Sequence, residues 1–332
     1  MTNTDTRDVA ATVAQVRELA GVGAEIVRVA VPDREAAEAL RQIRAQVPEV
    51  ALVADIHFDH RLALAAVEAG VDGLRLNPGN IGGREKVAEV VRAAGERGVP
   101  IRIGVNAGSL DRKILERFGA VTAEAMVASA LEHVAVLEDL GFTAVKVSLK
   151  ASSVPLTMAA YRLLADQVDY PFHVGITEAG TMRGGLVKSA VGIGVLLAQG
   201  IGDTIRVSLT APPRHEVWAG YEILKALGLR HRGVELISCP TCGRTEIDLV
   251  AIATEVEERL QGVTRALKVA VMGCVVNGPG EAREADVGIA GGKGAGLLFR
   301  RGEPVRIVPE PDLVDALLKE IEKLQSEEEQ VD

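Results

Sequence analysis

Aromatic side chains make up only 3% of this 332-residue chain, so the stacking platforms that hold single-stranded nucleic acids are scarce. Basic residues are outnumbered, 37 Lys and Arg against 46 Asp and Glu, and the formal charge of −9 offers no broad phosphate-backbone surface. Both shortages argue against a nucleic-acid partner. Long apolar runs are missing too: "SAVGIGVLLAQGIG" is too short and glycine-rich to span a bilayer, which argues against a membrane partner. The opening "MTNTDTRDVA" is neither basic nor apolar, unlike a secretory signal, and a cytoplasmic protein is expected. Cysteine is scarcest of all at three residues. In a reducing compartment, an odd and low count favours a metal or redox site over structural disulfides.

What the chain does have is 48% apolar residues, ample for one large or two modest domains. Short β-branched runs alternate with helix-length amphipathic segments such as "REAAEALRQIRAQV". The runs are "IVRVAV", "ALVADI", "GLRLNP", "IRIGVN", "AVKVSL", "FHVGIT" and "TIRVSL". Strands separated by helices at this pitch mean repeated βα units and a parallel sheet. Seven such strands are visible, whereas a closed βα barrel needs eight. The first helix, around Asp8 to Ala20, has no strand before it; either the sheet is open or a first strand lies upstream of Met1.

The strands carry a second pattern. Arg28, Arg75, Arg102, Lys146 and Arg206 each sit between two apolar β-formers. Residues two and four places on share their face, which adds Asn77, Asn106, Ser148, Lys150 and Ser208. Asp55, His57 and Thr177 fall on matching parity in their own strands. The apolar neighbours must then face outer helices, leaving cations and amides inside. A lone strand arginine is commonly paired with a carboxylate. A set of five repels itself and loses hydration unless anions compensate, and Asp55 and Glu178 compensate only in part. The pattern implies a small, dense anion, most simply a phosphate or diphosphate ester, gripped by arginine forks at the C-terminal ends of the strands.

From about residue 232 the rhythm changes to a helix at "EIDLVAIATEVEERL", a strand at "KVAVMGC" and short strands in "DVGIA", "GLLFR" and "PVRIV". This predicts a barrel over 1–231 and a separate α+β domain over 232–332. "GGKGAG" lacks the ending of a phosphate loop and reads as turns. The cysteines stand in "CPTCGR", as Cys239 and Cys242, and in "GCVVNGPGE", as Cys274. The Gly-Pro-Gly core of the latter forces a sharp turn that could return Glu281 to the same centre. Zinc, a thioredoxin-like pair and an iron–sulfur cluster with one weaker ligand all remain open, with the cluster ranked ahead of zinc.

Read in order, "VADIHFDHR", "LRLNPGNIG", "RIGVNAGSL", "GITEAG", "KSAVGIG", "GIGDTIRVSL", "CPTCGR" and "GCVVNGPGEA" resemble the 4-hydroxy-3-methylbut-2-en-1-yl diphosphate synthases, to about Gly292. These are iron–sulfur enzymes of the methylerythritol phosphate route to isoprenoids. The resemblance implies a TIM-type barrel, here without its first strand, followed by a small cluster-binding domain. It implies a [4Fe–4S] cluster on Cys239, Cys242 and Cys274 with Glu281 as fourth ligand. It also implies two-electron ring opening and dehydration of 2-C-methyl-D-erythritol 2,4-cyclodiphosphate. Arg28, Arg75, Arg102 and Lys150, with Asn106 and Ser208, match the family's diphosphate grip. Asp55, His57, Thr177, Glu178 and Arg206 match its other pocket residues, with Glu178 the candidate proton donor; Lys146 matches no family role. A head-to-tail homodimer and a flavodoxin or ferredoxin electron donor are implied in the same way. Family members carry roughly thirty residues ahead of "MTNT", so an internal methionine taken as the start is the simplest expectation. The competing readings are an inactive or zinc-loaded relative that only binds a phosphorylated ligand, and an aldolase-like barrel with Lys150 as Schiff-base amine.

Overall fold

The structure, a computed structural model, describes residues 1–274 and 282–328. It divides into two compact units, Met1–Leu227 and Gly228–Asp332. Among the described residues no helix is long and apolar enough to cross a membrane.

In the first unit, helix α1 (Val9–Gly21) precedes strand β1 (Ile26–Ala30), and βα units then follow one another. They are α2 (Arg34–Gln46), β2 (Ala51–Asp55), α3 (His60–Glu68), β3 (Gly73–Leu76), α4 (Arg84–Glu96) and β4 (Ile101–Asn106). Next come α5 (Arg112–Phe118), α6 (Ala123–Glu138), β5 (Val145–Lys150), α7 (Val154–Ala165), β6 (His173–Val174), α8 (Met182–Ala198), β7 (Thr204–Ile205) and α9 (Arg214–Ala226). Many of these helices start on a side chain that accepts an otherwise orphaned N–H. Asp33 takes the amide of Ala36, Thr122 that of Ala125 and Ser153 that of Leu156.

Strands β1 to β5 pair in parallel in sequence order, and β6 pairs in parallel with β7. These are the seven strands that the sequence predicts. The two ladders are joined by one parallel bridge, Val147 to Phe172. Buried Tyr161 of α7 reinforces that joint: its hydroxyl accepts from the Leu149 N–H (3.0 Å) and donates to the His173 carbonyl (2.6 Å). Alternation of side chains along each strand sorts the residues. Val27, Val29, Leu52, Leu74, Leu76, Ile101, Ile103, Val147 and Leu149 are fully buried against the helices in one continuous core. Their polar neighbours line the inside.

In the second unit, β8 (Val234–Ser238), α10 (Leu249–Leu260), β9 (Leu267–Met272), β10 (Val287–Gly292), β11 (Ala295–Arg300), β12 (Glu303–Pro309) and α11 (Leu313–Glu328) form a mixed sheet with two helices. The strand order is β12-β11-β10-β9-β8, parallel from β8 to β10 and antiparallel from β10 to β12. Val256 of α10 and Leu317 and Ile321 of α11 pack with Val269, Val271, Val287, Ile289 and Leu298 of the strands.

Candidate active site

Inside the first unit, one carboxylate organises the lower cations. Asp55, at the end of β2, is 4% exposed. It accepts from Arg75 Nη1 at 3.2 Å, lies 3.5 Å from Arg28 Nε, and has His57 Nε2 at 3.6 Å. Burial alone would raise its pKa, but His57, Arg28 and Arg75 together hold it well below the usual carboxylate range. The Arg75 guanidinium also donates through Nη2 to the Gly104 carbonyl (2.9 Å), while Asn77 accepts the Gly104 N–H (2.9 Å). Arg102 donates to Ser148 (2.9 Å), whose hydroxyl donates to the Ile103 carbonyl.

Higher up, Asn106 and Lys150 are register partners at the ends of β4 and β5. Lys150 is buried, and burial followed by Arg102, Arg206, Arg28 and Arg75 pushes its pKa well below the ordinary lysine value. Burial likewise lowers Arg28 to about 10 and Arg102 to about 9, with neighbouring arginines adding to the effect. His173 is depressed by burial and then by the same cations, and its Nδ1 meets Thr204 at 2.9 Å. Lys146, the register partner of Arg102, is lowered by burial and then by Arg102.

Arg206, just past β7, meets a carboxylate that the sequence reading did not single out. Glu216, in the first turn of α9, accepts from Arg206 Nε and Nη2 at 3.4 Å each and from the Leu209 N–H at 3.0 Å. "PPRHE" carried the signal, since paired prolines open a helix and an acid follows in its first turn. Thr177 and Ser208 are half-buried beyond the ends of β6 and β7, where the Thr177 N–H bonds the Ala151 carbonyl. Glu178 is exposed and adopts φ = 51°, a left-handed conformation that costs a non-glycine residue about 1–2 kcal/mol. The structure thus brings Arg28, Asp55, Arg75, Arg102, Ser148, Lys150 and Arg206 into one charged interior, with the exposed His57 ring beside Asp55 and Arg75, and Glu216 is the carboxylate that pairs with Arg206.

The cysteines belong to the second unit. Cys239 follows β8 and Cys274 lies two residues beyond β9, so both stand at the same edge of neighbouring parallel strands. Cys239 Sγ accepts the Gly273 N–H at 3.3 Å. Cys242 is exposed, and the backbone N–H of Arg244 lowers its thiol pKa. All three thiols are free. Among the described residues no group of three or more His, Cys, Asp or Glu stands close enough to hold a metal ion. Glu281 lies outside the described residues. The donor set, free thiols at adjacent strand ends with a backbone N–H already directed at one sulfur, fits a thiolate-held iron–sulfur group in kind.

A profile described as "GcpE TIM-barrel domain" matches residues 1–221, and one described as "GcpE protein C-terminal domain" matches 235–323. A protein of Geobacter sulfurreducens is 65% identical over 327 residues, covering 98% of this chain and 92% of the relative. A Maridesulfovibrio salexigens protein is 63% identical over 97% of this chain and 90% of its own length. One from Caldanaerobacter subterraneus is 59% identical, covering 99% of this chain and 92% of its own. All three bear one name, 4-hydroxy-3-methylbut-2-en-1-yl diphosphate synthase (flavodoxin).

Proposed function

Because this chain belongs to the 4-hydroxy-3-methylbut-2-en-1-yl diphosphate synthase family, we propose that its barrel binds 2-C-methyl-D-erythritol 2,4-cyclodiphosphate for reductive ring opening and dehydration. The chain is an oxidoreductase of that family. The observation that carries the substrate assignment is the imbalance of charge inside the barrel. Arg28, Arg75, Arg102, Lys146, Lys150 and Arg206 gather there, while the carboxylates that touch them among the described residues are Asp55 and Glu216. A ligand with two phosphates supplies the missing negative charge at short range.

Arg28, Arg75, Arg102 and Lys150 hold the two phosphates, with Asn106 and Ser208 bonding their oxygens and Arg206 beside them. Asp55 and His57 fix the Arg75 fork. These donors are aimed before the ligand arrives, so they stabilise charge growing on the departing phosphate oxygen without reorganising. Thr177 and Glu178 follow β6, between the strands that carry Lys150 and Arg206, and Glu178 delivers the proton with which the C3 hydroxyl leaves as water. Written in acid form, the cyclodiphosphate takes up two electrons and two protons and yields the linear allylic diphosphate and one water. A [4Fe–4S] cluster, held by Cys239, Cys242, Cys274 and Glu281, supplies the electrons when bound. The relatives' name points to a flavodoxin as donor. A cytoplasmic, head-to-tail homodimer completes the reading, as in the family.

The deciding experiment is anaerobic purification and reconstitution with iron and sulfide, metal analysis, then turnover of the cyclodiphosphate with reduced flavodoxin. Brown protein with about four irons per chain and formation of the allylic diphosphate is the expected result. A colourless protein holding one zinc per chain and no turnover would overturn the proposal in favour of a zinc-loaded binder.

A further inference from the structure

We propose that Gly104 is a positioning residue of the diphosphate site, acting through Arg75; this rests on the reading that the barrel takes a cyclodiphosphate. Gly104 sits on β4 between Arg102 and Asn106, on the inward parity, opposite Ser148 of β5. Its backbone is not in the left-handed region, so nothing in its conformation asks for glycine. Space does. A Cβ at this position would overlap Arg75 Nε and lie 2.9 Å from Nη2 and 3.1 Å from Cζ. Its three nearest atoms all belong to that one guanidinium. Gly175 differs in kind, because the first obstacle to a Cβ there is the Arg206 backbone carbonyl, with Lys150 Nζ at 3.1 Å behind it, so strand packing comes before any side chain of the site.

The Gly104 peptide is also a shelf for the neighbouring strand. Its carbonyl accepts Arg75 Nη2 and its N–H donates to Asn77, each at 2.9 Å. With Nη1 held by Asp55, the guanidinium is fixed on two edges and lies flat over the missing side chain. Arg75 is 6% exposed and its Nε is buried without a hydrogen-bond partner among the described residues, so the fork cannot retreat sideways into solvent. An added methyl pushes it off both the shelf and Asp55. Displacement of an ångström at a reacting site typically costs up to about a hundredfold.

The test compares four cluster-reconstituted full-length proteins: wild type, Gly104→Ala, Arg75→Ala and the double variant. Each is titrated with inorganic diphosphate by calorimetry and melted thermally. Gly104→Ala is expected to bind about tenfold or more weaker with its iron–sulfur absorbance unchanged. In the Arg75→Ala background the same substitution is expected to change affinity less than about twofold and to leave the melting temperature unmoved. Binding by Gly104→Ala within twofold of wild type overturns the inference, as do losses that multiply in the double variant. Should Gly104→Ala alone fail to fold, a folded double variant supports the assignment and an unfolded one defeats it. Absence of diphosphate and cyclodiphosphate binding by wild type removes the site reading itself. That result is separate from wild-type binding that ignores position 104.

Discussion

Arg206 and Glu216 face each other across the last β-to-α turn of the first unit. The carboxylate accepts both Nε and Nη2 of the guanidinium and, with its second commitment, the Leu209 N–H. One acid therefore aims a candidate phosphate ligand and fixes the loop that carries Ser208.

Removing that acid leaves a half-buried cation without its partner. Glu216→Ala is expected to lose roughly 1–3 kcal/mol of stability. Added inorganic diphosphate should recover more of the melting temperature in the variant than it adds to wild type, because the anion takes over the lost charge. Equal diphosphate shifts in both proteins would show that Glu216 and the ligand do not share Arg206.

Glu178 pays for its left-handed backbone with strain of about 1–2 kcal/mol that glycine would not feel. Glu178→Gly is predicted to melt at or above the wild-type temperature while turnover of the cyclodiphosphate falls by about a hundredfold or more, the scale of a lost general acid. Retained turnover in this variant would reduce Glu178 to a loop residue.

Lys150 makes the stability of the ligand-free protein depend on pH. Burial and then the surrounding arginines depress its pKa, so the folded amine binds fewer protons than the unfolded one. Stability then rises with pH from the depressed folded value up to about 10.4, where unfolded lysine titrates. Arg28 and Arg102, lowered to about 10 and about 9, act in the same direction at the alkaline end. Asp55 works on the acid side: its folded pKa is depressed, so its contribution is present above about 3.9 and is lost as pH falls toward the folded value. Chemical denaturation from pH 6 to 10 should show a rising midpoint in wild type and a flatter profile in Lys150→Met. Parallel profiles would mean that Lys150 stays charged when folded.

The thiols should separate from the barrel. Cys239→Ser, Cys242→Ser and Cys274→Ser are each expected to lose visible absorbance and most bound iron on anaerobic reconstitution, and to retain diphosphate affinity within about twofold. A variant that keeps its iron removes that cysteine from the ligand set.

Much of this was legible in the chain, for a definable reason. Alternation is a local signal: Val27-Arg28-Val29 and Ile101-Arg102-Ile103 announce which side faces the helices, and the structure places these valines and isoleucines in the core. Seven strands could be counted because each is bounded by a helix of the right length. Glu216 was legible only as an acid in a first helical turn, from "PPRHE"; its pairing with Arg206 was not, because those residues lie on different elements and only the closing turn joins them. Nor was the role of Gly104, because an absent side chain leaves no mark on periodicity and its meaning depends on Arg75 from the next strand. Glu281 lies beyond the described residues, so its part in the thiol site rests on the family resemblance.

Tyr161 closes the matter of which positions can drift. The two parallel ladders of the barrel share one backbone bridge, and the same phenolic oxygen both receives and gives a hydrogen bond across that joint. Phenylalanine would fill the identical volume and still strand a buried N–H and weaken the hold on a carbonyl, at a loss of about 1–3 kcal/mol. By the usual standards of substitution that exchange is among the mildest available. Here that oxygen adds to the Val147–Phe172 bridge and to the bond from the Thr177 N–H to the Ala151 carbonyl in holding β6 in register with β5. A library of barrel variants scored by side-chain volume alone would rate Tyr161→Phe as harmless and miss the two hydrogen bonds it removes.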